Sequence, residues 1–234
     1  MNKSIARSAF AAFFVAAFAV FPLGAQTITT ADAFFSSMSD VYANIKDYSA
    51  TIAINTSAGS KSSDSMTGHV LFKKPNLLRI DFTNPPNQTI VFNGENLVIY
   101  LPSYNVVLSQ SVEKNSGASG ASLATPQGLS LLKRYYTIAY ETGSDPVQLE
   151  ENSNERVVVL ILARKSTTEM FRTIRLMVSP DTKLIRRLDA RSISGDQIRF
   201  DFTGYALDQG ILENRFVYDS PASANMFNDF LFNE

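Results

Sequence analysis

Residues 67–107 read TGHVLFKKPNLLRIDFTNPPNQTIVFNGENLVIYLPSYNVV, and this stretch decides the fold. Turn residues cut it into short segments: Lys74-Pro75-Asn76, Asn84-Pro85-Pro86-Asn87, Asn93-Gly94-Glu95-Asn96 and Pro102-Ser103. Between the turns the side chains alternate with a period of two, as a half-buried strand requires. Leu78, Ile80 and Phe82 share one face, and Arg79 and Asp81 share the other. Connections this short make neighbouring strands antiparallel. Leu97 to Leu101 is apolar on both faces, which predicts a central strand covered on both sides. A sheet of this kind must cover its apolar face with protein, lipid or a partner.

Working outward, strands are predicted at 48–56, 65–74, 77–83, 88–93, 96–101 and 104–109. A second set follows at 136–141, 155–164, 170–179, 183–192 and 196–205, with 146–150 as a further candidate. A helix over residues 30–47 precedes the first set. Its apolar stripe is Phe34, Phe35, Met38, Val41, Tyr42 and Ile45, and Thr30 is placed to cap it. Residues 110–127 are rich in Ser, Gly and Ala and have little to bury, so they read as a flexible connection. Thr125-Pro126 then opens a second helix, with Leu129, Leu132 and Tyr136 on one side. The expected class is mainly β (α+β), with about ten or eleven strands and two or three helices.

Met1 to Ala25 has the three parts of a secretory signal: Lys3 and Arg7, an apolar run from Ser8 to Phe21, and Leu23-Gly24-Ala25 before Gln26. Cleavage after Ala25 leaves residues 26–234 as one expected domain. Removing Lys3 and Arg7 from the 21 basic residues leaves 19 against 22 acidic ones, a net charge of −3. Such a chain has no basic stripe for nucleic acid and no polybasic run for a membrane surface. With no cysteine, it is built without a disulfide framework.

The stock of catalytic groups is small. His69 is the one histidine, and a lone histidine on a strand reads as a surface or packing residue. No strained serine elbow, metal-ligand spacing or phosphate loop is present, so no cofactor is expected and the chain is not read as an enzyme. Lys74 shares the parity of Val70, Phe72 and Leu78, which turns it toward the apolar face unless the Pro75-Asn76 break reverses it. A cation there needs a carbonyl or carboxylate partner.

An ordered set of motifs carries a resemblance: Gly68, Lys73-Lys74-Pro75-Asn76, Leu78, Ile80, Phe82, Pro85, Asn93-Gly94-Glu95, Leu97, Tyr100 and Pro102. Thr125-Pro126 with Leu131-Leu132 and Phe216-Val217-Tyr218-Asp219-Ser220-Pro221 complete it. The chain resembles the LolA-like carriers of outer-membrane lipoproteins. The resemblance implies an incomplete antiparallel β-barrel with helices covering its concave face as a lid. It implies a periplasmic carrier, expected to be monomeric. The carrier takes acylated lipoproteins from an inner-membrane ABC lipoprotein-releasing complex and delivers them to an outer-membrane acceptor. The expected lipid-binding residues are Phe72, Leu78, Ile80, Phe82, Phe92 and Ile99, with Leu129 and Leu132 on the lid helix. Lys74 stands where the family has a latching arginine, so Lys74, or failing that Arg79, is expected to reach carbonyls of residues 123–136. A lysine cannot make the bidentate fork of an arginine. Three competing readings are an envelope-stress sensor on the same half-barrel, a carrier of another lipid, and an exported enzyme acting on lipids.

Overall fold

The computed structural model describes residues 29–58, 61–111 and 124–228. The proposed signal and the connection at 112–123 lie outside them. Helix α1 (Ala31–Asn44) begins as its sequence predicts, with the Thr30 hydroxyl accepting from the Ala33 amide at 3.2 Å. It ends three residues short of the expected boundary. The reason is tertiary: Lys46 donates its amide to the Asp208 carboxylate at 2.7 Å. Asp47, only 3% exposed, accepts the amides of Gln209, Gly210 and Ile211 at 2.7, 3.1 and 3.2 Å. A buried carboxylate is tolerated where hydrogen bonds replace its lost water, and here a distant loop supplies them.

The strands follow as β1 (Asp47–Ala58), β2 (Lys61–Lys73), β3 (Leu77–Asn84), β4 (Thr89–Phe92), β5 (Asn96–Leu101) and β6 (Val106–Ser111). Helix α2 (Pro126–Tyr135) leads into β7 (Tyr136–Tyr140), β8 (Val147–Gln148), β9 (Arg156–Arg164), β10 (Phe171–Val178), β11 (Ile185–Ser192), β12 (Gln197–Leu207) and β13 (Asn225–Asn228). The order across the sheet is β13-β6-β5-β4-β3-β2-β1-β12-β11-β10-β9-β7, with β8 on β9. The two ends of this order do not pair, so the sheet stays open. Among the described residues it has 13 strands rather than ten or eleven. The unforeseen strand, β13, pairs parallel to β6, the exception to an otherwise antiparallel sheet. Its sequence, NMFN, is too short to show alternation.

The register carries one apolar face across the sheet. Val70 pairs with Ile80 and Ile80 with Ile90, while Ile52 pairs with Phe202 and Ile174 with Leu162. These residues form a single core with Phe34, Phe35, Met38 and Tyr42 of α1 and Leu129 and Leu132 of α2. We call this the inner face. The apolar reading of Val157–Ala163 on both faces also holds: Val157, Val159 and Met177 make a small second cluster with Leu149. The doubly covered reading of Leu97–Leu101 does not, because every residue of β5 is only half-buried. Strand β5 lies third from the end of the sheet rather than at its centre.

Beyond that small second cluster, the outer face of β10 to β12 carries cross-strand ion pairs. Arg175 lies opposite Asp189, Asp189 opposite Arg199 and Arg187 opposite Asp201. The corresponding ion pairs measure 3.4 Å for Arg175–Asp189 and 2.7 Å for Arg199–Asp189. Opposite charges directly across strands support the pairing. After β12 the chain crosses this outer face as a strap, residues 208–224. Lys73 Nζ donates to the Ile211 carbonyl at 2.8 Å and the Arg79 guanidinium to the Arg215 carbonyl at 2.9 Å. Phe216 is 1% exposed, and the rings of Tyr218 and Tyr100 meet at 6.0 Å.

Gly68 sits at the bulge where β2 meets β3, opposite Phe82. A Cβ added there would lie 2.4 Å from the Asp81 carbonyl oxygen and 2.9 Å from Phe82 Cα. Both are backbone atoms, so the pair must move apart. Gly68→Ala should lower stability by about 1–3 kcal/mol, the usual range for overpacking, seen as a lower urea midpoint at constant slope. An unchanged midpoint would show that the β2–β3 backbone yields freely.

Candidate functional site: the helix-covered inner face

Period-two alternation puts Phe72, Leu78, Ile80 and Phe82 on the inner face, where they are 0, 4, 0 and 4% exposed. Leu129 and Leu132, three residues apart on α2, are 0 and 2% exposed and pack against the same core. Phe92 packs on it half-buried. Ile99 continues the row through the Ile80–Ile90–Ile99 register but is not among the residues of the core cluster. Six of the expected lipid-facing and lid residues are therefore brought into one packed core, with Phe92 at its margin and Ile99 beyond it. In this arrangement the helices occupy the inner face.

The local chemistry of α2 is as its sequence predicts: Pro126 stands in the first turn and the Thr125 hydroxyl accepts from the Gly128 amide at 3.1 Å. Few polar bonds tie the helix to its surroundings. Tyr48 donates its hydroxyl to the Ala124 carbonyl at 3.0 Å. The Gln127 amide donates to the Pro75 carbonyl. Lys133 Nζ reaches Ser36 Oγ at 2.7 Å and Asp32 at 3.6 Å, linking α2 to α1. Lys165 Nζ donates to the carbonyls of Lys133 and Arg134 at 3.2 and 3.1 Å, a cation at a helix C-terminus.

The latch expected of Lys74 and Arg79 takes a different form. Lys74 does lean toward the inner side, but its ammonium donates to the Ala43 carbonyl at the end of α1, not to residues 123–136. Arg79 has the opposite parity and binds the strap on the outer face. It also pairs with Asp81 at 2.7 Å. The turn after β2 meets α2 through the Pro75 carbonyl instead. Sequence reading missed Tyr48 as the tie. The available signal was a tyrosine on the apolar face, whose hydroxyl needs a partner when buried. That the partner lies 76 residues away was not legible.

Helix α1 is locked by a ring of hydrogen bonds. The Ile185 amide donates to the Tyr42 hydroxyl at 3.0 Å, and the Tyr205 hydroxyl donates to the Ile185 carbonyl at 3.0 Å. The remaining 3.3 Å contact between the two hydroxyls is then Tyr42 donating to Tyr205. The ring requires both phenols neutral. Burial pushes Tyr42 up to about 12, partly countered by its hydrogen bonds to Tyr205 and Ile185. Burial also holds Tyr48 and Tyr205 well above the ordinary tyrosine range.

An open half-barrel with a helix-covered apolar inner face is the class of protein these observations define. Residues 54–219 match the family model of the outer membrane lipoprotein carrier protein LolA, and the chain belongs to that family. Among solved structures it is similar to a LolA superfamily protein of Nitrosomonas europaea (15% identity, 81% of this chain and 98% of that one, TM-score 0.43). It is also similar to an uncharacterized conserved protein of Thermus thermophilus (11% identity, 83% and 96%, TM-score 0.52). A third is a putative outer membrane lipoprotein-sorting protein domain of Vibrio parahaemolyticus (10% identity, 78% and 94%, TM-score 0.43). At 11% identity the likeness to the Thermus thermophilus protein is one of fold. No curated protein matches the sequence.

Two outcomes follow from the ties. Tyr48→Phe removes the bond to Ala124, worth about 1 kcal/mol. It should speed hydrogen exchange across 124–135 about fivefold, whereas Lys74→Leu should speed exchange only near Ala43. Equal protection of 124–135 in wild type and Tyr48→Phe would remove Tyr48 as a tie. For the phenol ring the sign is fixed by the raised pKa of Tyr42. The neutral form is the folded one, so its contribution is complete below the ordinary tyrosine value and is lost as pH rises through about 12. Stability should fall steeply above about pH 10, and Tyr42→Phe should flatten that fall. The same slope in both proteins would contradict the ring.

Proposed function

We propose that the protein is an exported carrier that holds the acyl chains of lipoproteins against the inner face, in the place α2 occupies here. It would receive them from an inner-membrane ABC lipoprotein-releasing complex and pass them across the periplasm to an outer-membrane acceptor. The observation that carries this reading is the cover itself. A continuous apolar face, from Ile52 to Ile80 and Leu160, is capped on one side by a helix of 10 residues that contributes two buried leucines and a handful of polar ties.

The energies favour exchange. Burying a leucine contributes about 1.5–3 kcal/mol, so Leu129 and Leu132 together hold α2 by roughly 3–6 kcal/mol. An acyl chain gains about 0.8 kcal/mol per buried CH₂, or roughly 10 kcal/mol for a dozen methylenes. Cargo can therefore displace the helix. The returning helix recovers part of that energy, which keeps release within reach. Membership of the LolA family and the tripartite N-terminal sequence support the same reading.

Phe92 is the variant of choice, because it is half-buried at the margin of the core and a change there leaves the packed centre intact. Phe92→Asp should weaken binding of a fluorescent fatty acid tenfold or more, taking about 1.4 kcal/mol per factor of ten, at unchanged circular dichroism. Native mass spectrometry of protein isolated from the periplasm should show an acylated polypeptide bound. Undiminished fatty-acid binding by folded Phe92→Asp, or a wild-type protein that carries no acylated species, would contradict the proposal.

A further inference from the structure

Met170 and Ile193 are 66% and 59% exposed. They occupy two neighbouring connections at one end of the sheet. Phe171 pairs with Ser192, and Met170 and Ile193 are the next residues outward along the two strands. Elsewhere these connections are built of small polar residues, Ser166-Thr167-Thr168 and Ser194-Gly195, so a turn there does not call for an apolar side chain.

The surroundings are cationic. Residues 164–172 hold Arg164, Lys165 and Arg172 against Glu169, and residues 191–199 hold Arg191 and Arg199 against Asp196. Asp189 pairs with Arg199, so the excess is two positive charges, five against three, in a chain whose formal net charge is −1. Further along the same strands, Arg175 pairs with Glu141, Arg186 with Glu155 and Arg187 with Asp201. Arg172 and Arg191, beside the exposed apolar pair, meet no carboxylate among the described residues. The Asp196 carboxylate is engaged by the hydroxyls of Ser192 and Ser194.

The strap provides a contrast. Leu212 and Val217 are equally exposed, at 67 and 68%. Their charged neighbours, Glu213, Arg215 and Asp219, give no cationic excess.

We propose that the end of the sheet formed by residues 164–172 and 191–199 is a docking surface for an anionic lipid bilayer. Met170 and Ile193 enter the interfacial layer and Arg172 and Arg191 meet lipid phosphates. Apolar tips and a ring of cations are the two components that hold a protein on such a surface. The surface escapes a scan for polybasic runs because two separate connections assemble it. It is independent of what the inner face holds.

The test uses the protein without its N-terminal signal and two kinds of vesicle, phosphatidylcholine alone and phosphatidylcholine mixed with phosphatidylglycerol. The protein should sediment with the anionic vesicles only, and high salt should release it. Arg172→Glu with Arg191→Glu should lower the partition coefficient at least about twentyfold, since each cation near the surface contributes about fivefold. The thermal midpoint and fatty-acid binding should not change, because both arginines are exposed and neither is in an ion pair or in the packed core. The chain has no tryptophan, so Ile193→Trp gives a single tryptophan, excited selectively at the red edge of the absorption band. Its emission should shift to the blue on anionic vesicles, while that of Leu212→Trp on the strap should not. Failure to bind either vesicle, equal binding to both, undiminished binding of the double variant, or a shift at Leu212→Trp in place of Ile193→Trp would each overturn the proposal.

Discussion

The sheet of this protein does not close, and the rest of the structure answers that fact. A closed barrel or a sandwich buries one apolar face against another part of itself. Here the row from Ile52 through Val70 and Ile80 has no opposing sheet, so α1 and α2 cover it. The two helices are not held alike. Helix α1 packs Phe34, Phe35, Met38 and Tyr42 into the core and is fixed by the Tyr42–Tyr205–Ile185 ring. Helix α2 has 10 residues and two core leucines. Local stability follows buried apolar contact, so the short helix is the part of the cover that yields first.

The opposite face is organised to stay in place. Asp47 gathers three amides of the strap, while Lys73 and Arg79 hold two of its carbonyls. Strand β13 then joins the far edge at β6. Motion on the inner side can thus occur against a framework whose outer side is fastened from β1 to β6. The proposed exchange of the helical cover for cargo would need this division of labour.

Much of this was legible in the sequence where the cause is local. Leu78, Ile80 and Phe82 alternate with Arg79 and Asp81, and both faces came out as that parity requires. Thr30 and Thr125-Pro126 mark the helix starts because capping is a property of adjacent residues. The tail of the first helix was misread because Asp47 obeys a loop 160 or so residues away rather than the helical stripe before it. Strand β13 was missed because NMFN carries no period. The roles of Lys74 and Arg79 depended on which carbonyls the fold brings near them. Lys74 met the end of α1 and Arg79 met the strap. Tyr48, the residue that ties α2 to the sheet, looks in sequence like any aromatic on a strand.

The central claim is that cargo and α2 compete for one apolar face. Hydrogen exchange of the protein with and without an added acylated lipopeptide tests it most directly. The account predicts that residues 126–135 lose protection when the lipopeptide binds, while β1 to β3 keep theirs. Unchanged or increased protection of 126–135 at saturating lipopeptide would contradict it, because the ligand would then be bound without displacing the helix.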